Sequence, residues 1–117
     1  MTSALQVAGA DAEETAARFL ASRGLTVVAR NFRTRFGEID LVARDGGTLV
    51  FVEVRLRTNR NYGGAAESVD SSKRTRIVAA ARAYLARLPA EPPCRFDVVT
   101  LDGDMARWIP AAFEVAG

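Results

Sequence analysis

The chain has 117 residues, 49% of them hydrophobic, with one cysteine, no histidine and a formal net charge of +2. Length and apolar content suit one domain whose core needs no disulfide or metal staple, and a lone cysteine, Cys94, has no partner within the chain. Without histidine, the commonest zinc ligand and the usual general base are missing, which argues against zinc hydrolases and histidine-dependent triads.

Met1 to Ala10 has neither the basic start nor the long apolar run of a secretory signal, and no apolar stretch reaches the roughly 20 residues that span a bilayer. The expectation is a cytoplasmic protein with no membrane partner, a single domain over 1–117 in which 1–9 are flexible. Asp11 reads as the N-cap of a first helix over about 12–23. Ala12, Ala16, Ala17, Phe19 and Leu20 fall at helical spacing, and Gly24 is the stop. Thr26 to Phe32 is rich in β-branched and apolar residues and predicts a strand. Glu38 to Arg44 alternates, with Ile39, Leu41 and Ala43 on one face. Asp45-Gly46-Gly47 is a hairpin turn, and a third strand follows over Thr48 to Arg57.

Asn59 to Ala65 has no periodicity and reads as a loop. Ser71 or Ser72 caps a second helix, on which Ile77, Val78, Ala81, Tyr84, Leu85 and Leu88 form an apolar stripe. Lys73, Arg74, Arg76 and Arg82 lie largely off that stripe, and Pro89, Pro92 and Pro93 end the helix. Arg95 to Leu101 and Met105 to Ile109 are the last strands, joined by a turn at Asp102-Gly103-Asp104. The order αβββαββ predicts an α/β domain with a mixed central sheet flanked by helices.

Charge is segregated along this order. Thr15 to Gly37 carries Arg18, Arg23, Arg30, Arg33 and Arg35 with no acid, and Arg55 to Arg87 is again strongly basic. Between them stand Glu38, Asp40, Asp45 and Glu53. Basic flanks around an acidic centre suit a protein that grips phosphates while its carboxylates hold a cation; ordinary surface charge on a basic protein gives the same totals.

The hairpin decides whether those acids meet. With Gly46-Gly47 as a two-residue loop, Asp40 lies opposite Glu53 and Glu38 opposite Arg55. With Asp45-Gly46 as the loop, Asp40 faces Phe51 and is diagonal to Glu53, on the same side. A three-residue loop separates them. Facing carboxylates repel unless a positive charge lies between them. Glu53 also sits in the apolar run Leu49-Val50-Phe51-Val52-Glu53-Val54, where an unpartnered carboxylate costs several kcal/mol. Its partner is therefore an arginine, Arg55 or Arg57, or a metal. Oxygen ligands without histidine or cysteine select magnesium or manganese, which point to phosphodiester chemistry.

Gly37-Glu38-Ile39-Asp40-Leu41-Val42, Phe51-Val52-Glu53-Val54-Arg55-Leu56-Arg57, Tyr62-Gly63, Ala66-Glu67-Ser68-Val69 and Lys73 together resemble the YraN-like family of small bacterial proteins. That family is similar in fold to archaeal-type Holliday-junction resolvases and other restriction-endonuclease-like nucleases. Glu13-Glu14-Thr15-Ala16, Arg30-Asn31-Phe32-Arg33, Arg95-Phe96-Asp97-Val98-Val99 and Ala112-Phe113 extend the resemblance over nearly the whole chain.

The resemblance implies a single restriction-endonuclease-like domain in which Asp40 and Glu53 bind magnesium or manganese, helped by the Val54 carbonyl. It implies Glu13 as a further ligand or water holder, whereas by itself Glu13 reads as a solvated first-turn acid. Asp40, Glu53, Arg55 and Glu13 are thus the candidate catalytic residues, and Arg57, Lys73, Arg74 and Arg76 the candidate nucleic-acid contacts.

Arg55 departs from the pattern, because active members of the fold have lysine there and guanidinium cannot act as a base. Ala12 and Ala65 replace a usual glycine and proline. The implied function is a divalent-metal-dependent endonuclease on DNA, acting on branched or flapped structures. Arg55 favours instead a non-catalytic nucleic-acid-binding module, and a third reading is a protein-interaction scaffold using the Tyr62 loop and the apolar residues around Trp108 and Phe113. Nucleases that cut both strands often act as two-fold dimers, which leaves a homodimer open.

Overall fold

The structure is a computed structural model that describes residues 4–56, 71–103 and 105–113, with side chains from Asp11 onward. Its elements are α1 (Ala4–Ser22), β1 (Thr26–Thr34), β2 (Gly37–Asp45), β3 (Thr48–Leu56), α2 (Ser71–Leu85), β4 (Cys94–Asp102) and β5 (Met105–Phe113). This is the predicted αβββαββ order. The predicted loop from Asn59 to Ala65, Arg57 and the Tyr62 contact lie outside the described residues.

The strands form one five-stranded sheet in the order β1-β2-β3-β4-β5. All neighbours are antiparallel except β3 and β4, which run parallel. A parallel pair needs a crossover, and α2 lies in that connection. The helices cover opposite faces. Ala12, Ala16, Ala17 and Leu20 of α1 pack with Leu41, Ala43, Val50, Val52, Val99 and Leu101. Ile77, Ala80 and Ala81 of α2 pack with Val42, Leu49, Phe51, Phe96, Val98 and Phe113. Apart from Glu53, the Leu49-to-Val54 run is apolar because β3 is central and buried on both sides.

Helix α1 begins well before the predicted position. Asp11 is not its N-cap but lies inside it, since the preceding Ala-Leu-Gln-Val-Ala segment is itself a strong helix former. Its end is as expected. Gly24 has φ +93°, and Leu25 N–H donates to Leu20 O (3.1 Å) while Gly24 N–H donates to Ala21 O (3.1 Å), the paired bonds of a glycine-terminated helix.

Strand β5 continues four residues past the predicted end at Ile109, through Pro110. Proline is tolerated because β5 is an edge strand. The register with β4 shifts between Phe96 and Val98, and Ala111 at the shift has φ +50°. Asp97, fully buried, holds this irregular edge together. Its carboxylate accepts from Trp108 Nε1 (2.8 Å), Ala111 N–H (2.9 Å) and Arg95 Nε (3.0 Å), and Arg95 reaches on to Asp45 at 2.9 Å. Trp108 packs against the α1-side core and Phe113 stacks on Phe96 at 4.9 Å between ring centroids. These two aromatics thus serve the chain's own core.

Removing one side of a buried, hydrogen-bonded ion pair typically destabilises by about 3–5 kcal/mol. Asp97→Ala is expected to lose stability on that scale in urea unfolding, with Trp108 fluorescence reporting the loosened edge.

Candidate functional site

The β2–β3 register begins at Asp45↔Thr48 and runs to Leu41↔Val52. Gly46-Gly47 is therefore the two-residue loop, with Gly46 at φ +60°. Continued by one step, the register sets Asp40 against Glu53, but the ladder stops short of them. Instead Asp40 Oδ2 accepts the Val54 N–H at 2.8 Å. On the other side of β2, Asn31 and Asp40 fall between the pairs Arg30↔Leu41 and Phe32↔Ile39. Asn31 adopts φ +50° there, a conformation asparagine tolerates better than most residues.

Strand alternation places Phe51, Glu53 and Arg55 toward α2, and the first turn of α2 supplies their partner. Lys73 Nζ lies 2.7 Å from Glu53 Oε1, and Arg55 Nε lies 3.5 Å from the same oxygen. Glu53 is 8% exposed, so these cations answer the burial cost that the sequence raises. Lys73 is the only lysine in the chain.

Asp40 is less well compensated. Burial first, then the Glu53 carboxylate and more weakly Glu13, push its carboxyl up to about 7, against the lowering pull of the Val54 N–H. Glu13 is held by Asn31 Nδ2 at 2.8 Å, close enough for Asp40 to feel its charge. Its neighbour Glu14 turns to Arg30 and Arg18, which hold it below the ordinary carboxylate value.

Around the pair opens a cleft of about 870 Å³, lined by Asp40, Glu53, Lys73, Arg76 and the β1–β2 turn from Arg33 to Glu38. Gly37 makes this geometry. A Cβ there would stand 2.2 Å from the Arg76 carbonyl oxygen, so only glycine lets the turn approach the α2 backbone so closely.

Of the candidate site residues, Asp40, Glu53, Arg55 and Lys73 come together, with Glu13 at the margin. Arg76 lines the cleft. Arg74 instead lies over the Phe113 ring at 5.4 Å. Among the described residues no group of three acidic, cysteine or histidine side chains is set to hold a metal. The pairing of Lys73 with Glu53 and the cleft-lining Arg33, Arg35 and Phe36 were missed from sequence. Only the clustering of Arg30, Arg33 and Arg35 ahead of the acidic stretch hints at the latter.

Acids at the open end of a central hairpin, on a five-stranded mixed sheet with a helix on each face, define a small α/β domain compatible with the nuclease-like fold. The family model described as uncharacterised protein family UPF0102 matches residues 12–101. A UPF0102 protein of Nitrosospira multiformis is 55% identical over 114 residues, covering 95% of this chain and 96% of the relative. One from Paracidovorax citrulli is 53% identical, covering 93% and 84%, and one from Nitrosomonas eutropha 49%, covering 91% and 92%. The chain belongs to the UPF0102 family, the YraN-like proteins its motifs resemble. Among the described residues no helix is long and apolar enough to cross a membrane.

The raised Asp40 value makes stability depend on pH. Folding raises the carboxyl from an ordinary 3.8 to about 7, so its contribution is full below the unfolded value and is lost as pH rises through the folded one. Asp40→Asn keeps an acceptor for Val54 N–H and removes the titration. In urea unfolding the variant should be more stable than the wild type at about pH 8, with the difference shrinking at about pH 5.

Proposed function

We propose that this protein is a divalent-metal-dependent DNA endonuclease in which Asp40 and Glu53 hold magnesium or manganese. What carries the reading is the convergence of the buried Glu53, the half-buried Asp40 and the chain's only lysine in a cleft walled by arginines. The donor set fits such an ion. Two carboxylates are too few for a closed protein cage, but magnesium is commonly held by one or two carboxylates with water and substrate phosphate completing its shell. The incomplete compensation of Asp40 supports the same conclusion, since a cation would favour its ionised form. A bound cation supplies polarisation of a phosphoryl oxygen and activation of a water.

The chain's own residues provide the rest. Arg33, Arg35 and Arg76 line the cleft where phosphates would be neutralised. Lys73, which pairs with Glu53, would orient a water or stabilise charge developing on the phosphate. Arg55 shares the charge-stabilising role but cannot accept a proton. A second reading, a nucleic-acid-binding module without turnover, is favoured by one observation: Lys73 and Arg55 both lie against Glu53 and supply the positive charge its burial calls for.

The test is incubation with labelled junction, flap and single-stranded DNA in manganese. Cleavage is expected, abolished in Asp40→Ala and Glu53→Ala, and reduced about 100-fold in Lys73→Gln, the scale of losing one stabilising donor. No cleavage, or cleavage indifferent to Asp40 and Glu53, overturns the proposal; salt-sensitive binding without turnover would then support the binding module. Manganese affinity measured by calorimetry should rise as pH passes about 7, with proton release, because Asp40 must ionise to bind.

A further inference from the structure

Phe36 is the feature the carboxylates leave unexplained. It is 60% exposed and the only aromatic among the large exposed hydrophobic residues of the described chain. It stands at the β1–β2 turn, held by Thr34, whose Oγ1 accepts the N–H groups of Phe36 (3.0 Å) and Gly37 (3.1 Å). The Arg35 guanidinium lies over its ring at 4.8 Å. Close packing of Gly37 on the α2 backbone fixes the base of this turn, so the ring is presented at a set place on the wall of the cleft that contains Asp40 and Glu53.

An exposed aromatic ring beside guanidinium groups is a stacking surface for a planar base with cations for the adjoining phosphates. Charge complementarity favours a polyanion at this wall. Arg35, Arg76 and Lys73 line it, and Arg33 is there too, shared with Glu38 at 3.0 Å. A base within a duplex has its faces covered by its neighbours, and only an unpaired one can lie on Phe36.

We propose that the Phe36–Arg35 turn stacks an unpaired DNA base beside the carboxylate pair, so that the protein takes single-stranded DNA or DNA with an unpaired segment in preference to continuous duplex. This rests on the proposed nucleic-acid reading of the same cleft and names its substrate class.

The experiment is fluorescence anisotropy of a short labelled single strand and of the same strand annealed to its complement, with chelator present so that no metal or turnover is involved. The single strand should bind more tightly than the duplex. Phe36→Ala should weaken single-strand binding about tenfold, within the range for loss of one base–aromatic stack, and leave duplex binding nearly unchanged. Phe36→Trp should retain single-strand binding and show quenching of its added fluorescence when the strand binds, with Phe36→Ala as the background for Trp108. Because Phe36 is exposed, unaltered thermal unfolding of both variants is expected. Equal affinity for strand and duplex, or single-strand affinity indifferent to Phe36→Ala, overturns the inference. Since these titrations are metal-free, failure of manganese cleavage leaves them interpretable, and cleavage that persists while Phe36→Ala binds normally overturns the stacking role alone.

Discussion

Two carboxylates brought to the open end of a hairpin repel each other, and here the surroundings answer each in a different way. Glu53 receives an ammonium from α2 and a guanidinium from its own strand. Among the described residues Asp40 receives one backbone N–H. A hydrogen bond to a charged group contributes about 1.5–3 kcal/mol, while burying an ion costs several kcal/mol even after relaxation. The second effect wins, and the Asp40 carboxyl rises to about 7.

Asp97 shows that burial by itself does not make such a site. It is more deeply buried than Asp40, yet an indole N–H, a backbone N–H and a guanidinium satisfy it. With its acceptor capacity used inside the protein, it fastens the irregular β4–β5 edge. Among the described residues Asp40 has fewer donors and an acidic neighbour, so its carboxyl is pushed up instead. The same residue type thus fastens one part of the sheet and stays poorly compensated in another, decided by the groups around it.

The cleft depends on two glycine-dependent turns. Gly46-Gly47 sets the register that brings Asp40 and Glu53 toward each other, and a one-residue slip would send the two acids to opposite faces. Gly37 lets the β1–β2 turn meet the α2 backbone at Arg76. Through that contact the first turn of α2 and the exposed Phe36 face one space, with the carboxylates between them.

Element order, the hairpin and its acids were legible in the sequence because each is governed by short-range rules: glycine at a tight turn, proline after a helix. The expected alternation in β2 fails, since Ile39 packs on the α2 side while Leu41 and Ala43 pack on the α1 side. Where local signals were ambiguous they misled. Asp11 resembled an N-cap although the residues before it are equally helical, and the last strand, expected to end at Ile109, runs on through Pro110 because β5 lies at the edge of the sheet. The sequence by itself determined that Glu53 must have a cationic partner, since a carboxylate in an apolar strand cannot go without one. Which cation is nearest was decided only by tertiary structure. Lys73 follows Glu53 at a distance in the chain that no periodicity spans, and it reaches the carboxylate because the parallel β3–β4 pair requires a crossover that packs α2 on that face. Arg74, one residue on, points to Phe113 instead, because adjacent helical residues project in different directions.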